Sequence, residues 1–586
     1  MTAWLAANLA PVMFFAMILF LLSGAPVAFA LATCGIVFGL IGIELGLLSA
    51  SLVQAMPDRV FGVMSNDTLL AIPFFTIMGL LLERSGMAED LLDTVGRLFG
   101  TLRGGLAVAV VLVGAMLAAT TGVVAASVIS MGLISLPIML RAGYDARLAS
   151  GVIAASGTLA QIIPPSLVLI VLADQLNRPV GDMYRGALLP GLVLTGFYLL
   201  YVLCMAWLRP QSAPALPEAD DHDAAERRGV WALFAVALAA GVGASQLPAL
   251  QAHATDARAL LSVTAGGAVA WLLALADRLL RLNLLPDLAR RVAFVLMPPL
   301  ALIFLVLGTI YLGLATPTEG GAMGAAGALL MALARRRLSG ELLNQALDRT
   351  VRLTCFVLFI LIGARLFSLT FYGIDGHLWV EHLLLSLPGG QTGFLIAVML
   401  LVFVLAFFLD FFELAFIVVP LLAPVADKLG IDLVWFGVLL AVNMQTSFLH
   451  PPFGFALFFL RSVAPEKPYV DRVTRKVMEP VTTMQIYKGA IPFVIIQLTM
   501  VSLLIAFPQL VTGSLDKKQE VNMESIGEQM RDSLPATDSG YDTAPGASEE
   551  PGKEPGSTAT PEPQSAAPED DPMKAMQDAL KAGGKK

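Results

Sequence analysis

Pro137, Gly143, Asp145 and the doublet Pro164-Pro165 return 287 positions later as Pro424, Gly430, Asp432 and Pro451-Pro452. Each of these residue types is costly inside an apolar helix. Proline removes a backbone donor and clashes with the preceding turn, glycine loses backbone entropy, and a carboxylate resists desolvation. Both copies nevertheless lie in apolar stretches, 120–166 and 407–453, whose other residues nearly all differ. A shared register of unwelcome residues marks a duplicated unit. The chain is therefore expected to hold the same interrupted helical unit twice.

The surrounding sequence sets the solvent for that unit. Of 586 residues, 57% are hydrophobic and 14% charged, with a mean hydropathy of +0.77. Apolar runs of about 20 residues, enough to cross a bilayer at 1.5 Å per residue, recur along the chain. This predicts an all-α polytopic membrane protein. Twelve spans are expected, at 4–22, 25–48, 68–84, 148–173, 186–208, 230–249, 259–277, 293–313, 317–334, 351–372, 434–460 and 490–511. The first has no basic flank and no small-residue cleavage site, so it reads as a retained span. Cys34, Cys204 and Cys355 are isolated within apolar runs and read as packing residues.

Two further apolar stretches, 104–140 and 393–426, are interrupted near their middles, at Thr120-Thr121-Gly122 and around Leu409-Asp410. Basic residues cluster around Arg97/Arg103, Arg141/Arg147, Arg227/Arg228, 278–291, Arg335-Arg336-Arg337 and 461–476. Placing every cluster on the cytoplasmic side makes both stretches re-entrant hairpins, the first entered from the cytoplasm and the second from the outer face. The halves 1–208 and 293–512 are then inverted repeats, each with a re-entrant hairpin and a broken helix (148–173 and 434–460). The segment 209–292 is an inserted linker with two extra spans, and both termini fall on the outer side. From Gly513 the chain carries 15 acidic and 8 basic side chains and is rich in Pro, Gly and Ser. The segment 513–586 is expected to be disordered, with at most a frayed helix at 572–582.

Two consecutive prolines in mid-span open a helix and free carbonyls where only protein, water or an ion satisfies them. With hydroxyls and amides alongside, that is the material of a sodium site: hard oxygen ligands and the partial charges of half-helix ends. The sodium candidates at the first tip and break are Thr120, Thr121, Gly122, Ser127, Gln161 and Pro164, with Ser156 and Thr158 beside them. At the second they are Asp410, Gln445, Thr446 and Pro451, with Glu413 and Ser447 adjacent. Candidates for contact with a solute are Thr121, Ser166, Thr316, Thr318, Glu319, Asn443 and His450. A packed proline kink would explain either break alone, Thr316 and Glu319 also have helix-cap spacing, and His450 equally fits a structural histidine. There is no phosphate-cradling loop, no metal-ligand spacing of His, Cys and Asp, and no nucleophile elbow. ATP as energy source and an intramembrane enzyme are thus not expected; nor is a nucleic-acid partner or any cofactor beyond Na+ as coupling ion.

Ile72-Pro73-Phe74-Phe75 through Gly79, the stretch 118–137 with Gly143-Tyr144-Asp145, Ile162-Ile163-Pro164-Pro165-Ser166, Thr316-Pro317-Thr318-Glu319 and Pro451-Pro452 together resemble a known family. It is the large membrane subunit of tripartite ATP-independent periplasmic (TRAP) transporters, and the resemblance covers residues 5–512. It implies a bacterial inner-membrane, sodium-driven importer of organic acids working by an elevator movement. The implied partners are a periplasmic substrate-binding protein and a small four-helix membrane subunit. The tip 120–127 carries fewer Ser and Gly than that pattern, and the insertion 209–292 and the tail are longer. On the residues themselves, a stand-alone sodium- or proton-coupled carboxylate carrier and a non-transporting membrane scaffold stay open.

Overall fold

The computed structural model describes residues 2–515 apart from 123, 216–220, 252–254, 283, 472 and 473. The acidic tail from 516 onward, with the short helix expected at 572–582, lies outside them. Among the described residues the only strand pairing is a two-residue antiparallel ribbon, Tyr469–Val470 with Val477–Met478; nearly everything else is helix. Eight helices among the described residues are long and apolar enough to cross a membrane, ten if two bent pairs count as one span each. The shortfall against twelve has a physical cause. Breaks cut two expected spans into pieces of 13 and 9 residues, and Leu9–Leu22 has only 14.

The repeated residues perform the same local tasks in both copies. Gly143 (φ 84°) and Gly430 (φ 71°) end the preceding helices in the left-handed conformation that glycine adopts without strain. The closing bonds run from Tyr144 N–H to the Met139 carbonyl and from Ile431 N–H to the Ala426 carbonyl, both 3.0 Å. Asp145 then starts the next helix by accepting from Arg147 N–H (2.8 Å), and Asp432 does so from Val434 and Trp435 N–H (2.9 Å each). Such a cap stabilises its helix by about 0.5–2 kcal/mol. Ala146–Thr158 tightens into a 3-10 turn, Leu159–Gln161; Leu433–Gln445 tightens into Thr446–Phe448, at the same 287-residue spacing. Each chain then breaks, over 162–166 and 449–454, at Pro164-Pro165 and Pro451-Pro452, whose peptide bonds are both cis. Helix resumes as Leu167–Gln175 and Phe455–Val463.

Both interrupted stretches fold back on themselves. Gly105–Thr121 returns as Val124–Arg141 past Gly122, a left-handed tip residue (φ 57°). The two ends of this hairpin hang on one loop: Gly104 N–H donates to the Ala213 carbonyl and Asp145 N–H to the Ser212 carbonyl, both 3.0 Å. In the second hairpin Gly390–Leu405 leads out, and Phe411–Glu413, a π-helical turn Leu414–Val418 and Val419–Lys428 lead back. Gln391 Nε2 closes its base on the Leu429 carbonyl at 2.6 Å.

Several bounds differ from expectation. The spans expected at 351–372 and 490–511 are the helices Gly340–Gly373 and Thr483–Ala506, which begin earlier at Ser339 and Thr482 caps. Hydropathy marks only the apolar part of a helix, whereas the cap sets its start. The inserted helices are Asp221–Ser245 and Thr255–Leu280, packed on each other. Met56–Met64, Met87–Phe99 and Gly376–Leu385 were not foreseen, being short and too polar to register as apolar runs. Met87–Phe99 buries Leu91, Leu92 and Val95 along one face, as an amphipathic helix does.

Ala146–Thr158 crosses Thr483–Ala506 at Gly151 and Gly489. A Cβ on Gly151 would meet the Gly489 carbonyl oxygen, and one on Gly489 the Arg147 carbonyl oxygen. Membrane helices approach this closely only through small residues. Gly489→Leu is expected to destabilise the protein by about 1–3 kcal/mol, the usual range for overpacking. A thermal unfolding midpoint in detergent equal to that of the parent would show that the crossing is slack.

Candidate functional site

The two tips and the breaks meet at a cavity of about 270 Å³. Gly122 comes from the first tip, Gln161 from the first break and Asp410 from the second tip. Phe448 and Phe455 flank the second break, and Leu353 and Phe356 of Gly340–Gly373 form the opposite wall. Val124, Leu167, Phe411 and Phe455 also line it, and each is the first residue of a helical segment. Four helical starts thus face one space. Two of these starts are capped, by Ser166 on Val168 N–H and by Asp410 on Glu413 N–H; the N–H groups left uncapped and the partial positive charge of the helix ends favour an anion there.

Asp410 is the carboxylate of that cavity. It accepts from Glu413 N–H, while Glu413 accepts from Asp410 N–H, both at 2.8 Å, so the pair is a capping box for the returning arm. Outside the cavity lining, Gln445 Nε2 donates to Thr158 Oγ1 at 3.1 Å, and these two residues are counterparts at the 287-residue spacing. Gln497 joins them, donating to Tyr198 Oη at 2.9 Å and more weakly to Thr158 at 3.5 Å. Asn443 Nδ2 holds the Met399 carbonyl of the second hairpin at 2.7 Å. Among the described residues, the side-chain oxygens of Gln161, Asn443, Gln445 and Gln497 are buried and have no donor. An unpaired buried polar atom costs about 1–3 kcal/mol. Hard amide oxygens left over in this way are the donor set that an alkali cation takes.

The other candidates divide clearly. Ser166 closes the first break locally, donating to the Gln161 carbonyl (2.6 Å) and accepting from Val168 N–H (3.2 Å). Thr446 donates back to the Asn443 carbonyl and Ser447 to that of Met444, both 2.6 Å. Ser127 is buried in the returning arm of the first hairpin. Pro164 and Pro451 stand within the breaks. The side chains of Thr120 and Thr121 lie outside the described residues. Thr316 and Glu319 form a capping box that opens Pro317–Ala334, and Thr318 donates to the Asp67 carbonyl at 2.7 Å. These three residues do not line the cavity. His450 is buried between Phe403 and Phe407, with ring centroids 4.3 and 4.2 Å away, and neither nitrogen has a partner among the described residues. Gln497 and Tyr198 were missed. Their signal was an amide and a phenol inside apolar spans.

The family model described as "Tripartite ATP-independent periplasmic transporter, DctM component" matches residues 14–510. The chain belongs to this TRAP transporter large-subunit family. The match takes in both hairpins, both breaks and the cavity, and ends before the acidic tail. Among curated relatives, the large permease protein of the C4-dicarboxylate TRAP transporter of Pseudomonas aeruginosa is 28% identical over 71% of this chain and 82% of its own length. The corresponding protein of Vibrio cholerae is 26% identical over 80% and 89%. The large permease protein of the 2,3-diketo-L-gulonate TRAP transporter of Escherichia coli is 23% identical over 81% and 94%. Among solved structures, the Alcanivorax borkumensis YdaH transporter covers 79% of this chain and 90% of its own, at 15% identity and a TM-score of 0.44. A likeness that loose places no constraint on the site. As a TRAP large subunit with these apolar helices, the protein is a multi-pass inner-membrane protein and a transporter component.

Proposed function

We propose that this TRAP large subunit carries an organic acid into the cell together with sodium. The observation that carries the reading is the convergence of four helical starts and one carboxylate on a single cavity, beside buried amide oxygens that lack donors. Sodium bound by those oxygens and by backbone carbonyls at the breaks holds both tips in place. The ordered tips then present helix N-termini to a carboxylate group. Coupling needs only that the acid binds the sodium-loaded form better than the empty one. The acid belongs to the class named for the relatives, C4-dicarboxylates and 2,3-diketo-L-gulonate.

The halves are read as inverted repeats. The hydrogen bond between Thr158 and Gln445 supports this, because counterparts of two copies touch only where an axis relating the copies runs between them. The hairpins and broken helices would then move as one body against Gly340–Gly373 and its neighbours, an elevator stroke that carries the cavity from one face to the other. A periplasmic binding protein delivers the acid, and a small four-helix membrane subunit braces the stationary part. The tripartite family match favours this reading over a stand-alone carrier or an inert scaffold. No cofactor enters it.

Uptake of labelled succinate, 2-oxo acids and sugar acids into proteoliposomes tests the reading. The vesicles contain this chain with its small subunit, and the binding protein is added or withheld. The expected result is uptake of one acid class only when the binding protein is present. Equal uptake without it would overturn the tripartite part.

A further inference from the structure

A second cavity, of about 300 Å³, follows the first along the same seam. The first is walled by Phe356 of the long helix Gly340–Gly373, by Val168 and by Phe412. The second is walled further toward the C-terminal ends of the same elements, by Arg365 and Ser368, by Gln175 and by Phe416. Phe412, in the wall of the first, stacks on Phe416, in the wall of the second, with centroids 6.4 Å apart and 23° between planes. The two cavities are therefore in series, with this aromatic pair between them. The second lies toward the end of the long helix opposite to the Arg335-Arg336-Arg337 cluster, which is the outer side by the placement of basic residues.

Two arginines line this cavity: Arg365 from the long helix and, at its exposed rim, Arg59 from Met56–Met64. Arg365 is half-buried within an apolar run of a membrane-crossing helix, where an arginine costs about 2.5–3.5 kcal/mol on insertion scales. A snorkelling arginine would lay its stem on apolar surface and reach for the headgroups. Arg365 instead shares a cavity with Gln175, Ser368 and Tyr372. Among the described residues neither the Arg59 nor the Arg365 guanidinium makes a salt bridge or hydrogen bond. By contrast, Arg335 and Arg337 share Asp90, and Arg141 pairs with Asp471. The carboxylate adjoining Gln175, Asp174, is already engaged by the amides of Asn66 and Gln175, each at 2.7 Å. Two guanidinium groups without a counter-ion, beside a hydroxyl, have the chemistry of a carboxylate site.

We propose that the Arg59–Arg365 cavity is an antechamber that takes a carboxylate of the organic acid before the acid passes the Phe412–Phe416 pair into the cavity of Gly122, Gln161 and Asp410. The assignment rests on the importer reading, but its test does not depend on transport. Purified protein in sodium-free detergent buffer is unfolded by heat with 10 mM succinate or gluconate, against chloride at equal ionic strength. One of the two acids is expected to raise the wild-type midpoint by about 2 °C, the scale set by ligand linkage. Arg365→Gln abolishes that rise, Arg59→Gln reduces it and Arg365→Lys keeps part of it, while the rise caused by sodium is equal in all four proteins. In uptake, Arg365→Gln raises KM at least tenfold and changes Vmax less than twofold. No rise with either acid in the wild type overturns the antechamber, as does a rise that survives both Arg365→Gln and Arg59→Gln. An arginine-dependent rise in a protein that takes up no acid under any sodium gradient upholds the carboxylate site at Arg59 and Arg365 and overturns both the importer reading and the site's place as an antechamber.

Discussion

Replacing Gln445 by Leu is expected to lower sodium-dependent uptake at least tenfold while leaving the protein as stable as its parent. Gln445 is buried, its amide nitrogen donates to Thr158, and its oxygen lacks a donor. Thr158 keeps its own bond to the Ala155 carbonyl (2.8 Å) when the amide is removed, so no donor is stranded. Exchanging an under-satisfied polar group for an apolar one of similar size is close to neutral for folding. Losing one oxygen from a cation's shell is not: a hydrogen bond to a charged group is worth about 1.5–3 kcal/mol, and a ligand of similar strength sets a loss of roughly 10- to 150-fold in affinity. The thermal midpoint in sodium-free buffer should therefore stay level or rise, and the increase produced by sodium should vanish. Unchanged uptake would remove Gln445 from the sodium site.

Asp410→Asn separates charge from structure at the second tip. Asparagine caps a helix about as well as aspartate, so the bond from Glu413 N–H survives and the returning arm keeps its start. Only the negative charge of the cavity is lost. Uptake is expected to fall at least tenfold with an unchanged midpoint, through weaker sodium binding. Asp410→Ala should lose the cap as well, at a cost of about 1 kcal/mol, and show both defects. Full activity in Asp410→Asn would mean that the carboxylate serves the helix alone.

Much of this was legible because the informative residues were out of place in an apolar chain. Gly143, Asp145 and the proline doublets, with their counterparts, end one helix, start the next and break it, and each task follows from the residue type. The tips and breaks could be paired in advance because both interrupt apolar stretches at a fixed spacing. Residues whose signal has two meanings were harder. The spacing of Thr316 and Glu319 suits a cap or a site, and the structure uses it as a cap. Arg365 and Gln497 carry no such mark for a different reason: they sit in unbroken helices, where spacing along the chain does not set a functional polar residue apart from others. Their meaning depends on what packs opposite, which spacing along one chain does not encode. The amphipathic helix Met87–Phe99 offers no apolar run, because its buried Leu91, Leu92 and Val95 are interspersed with Glu89, Asp90, Asp93 and Arg97.

The central claim is that sodium, held beside the breaks, drives uptake of a carboxylate through the cavity between the tips. The most direct measurement is the initial rate of uptake into proteoliposomes at fixed concentrations of acid and binding protein, under an imposed inward sodium gradient. Uptake is then repeated with that gradient collapsed by an ionophore, and with a potassium or proton gradient in its place. The account predicts accumulation with sodium alone, a rate that rises more steeply than first order in sodium, and none with the other gradients. Accumulation that ignores the sodium gradient, or that follows protons, would contradict it.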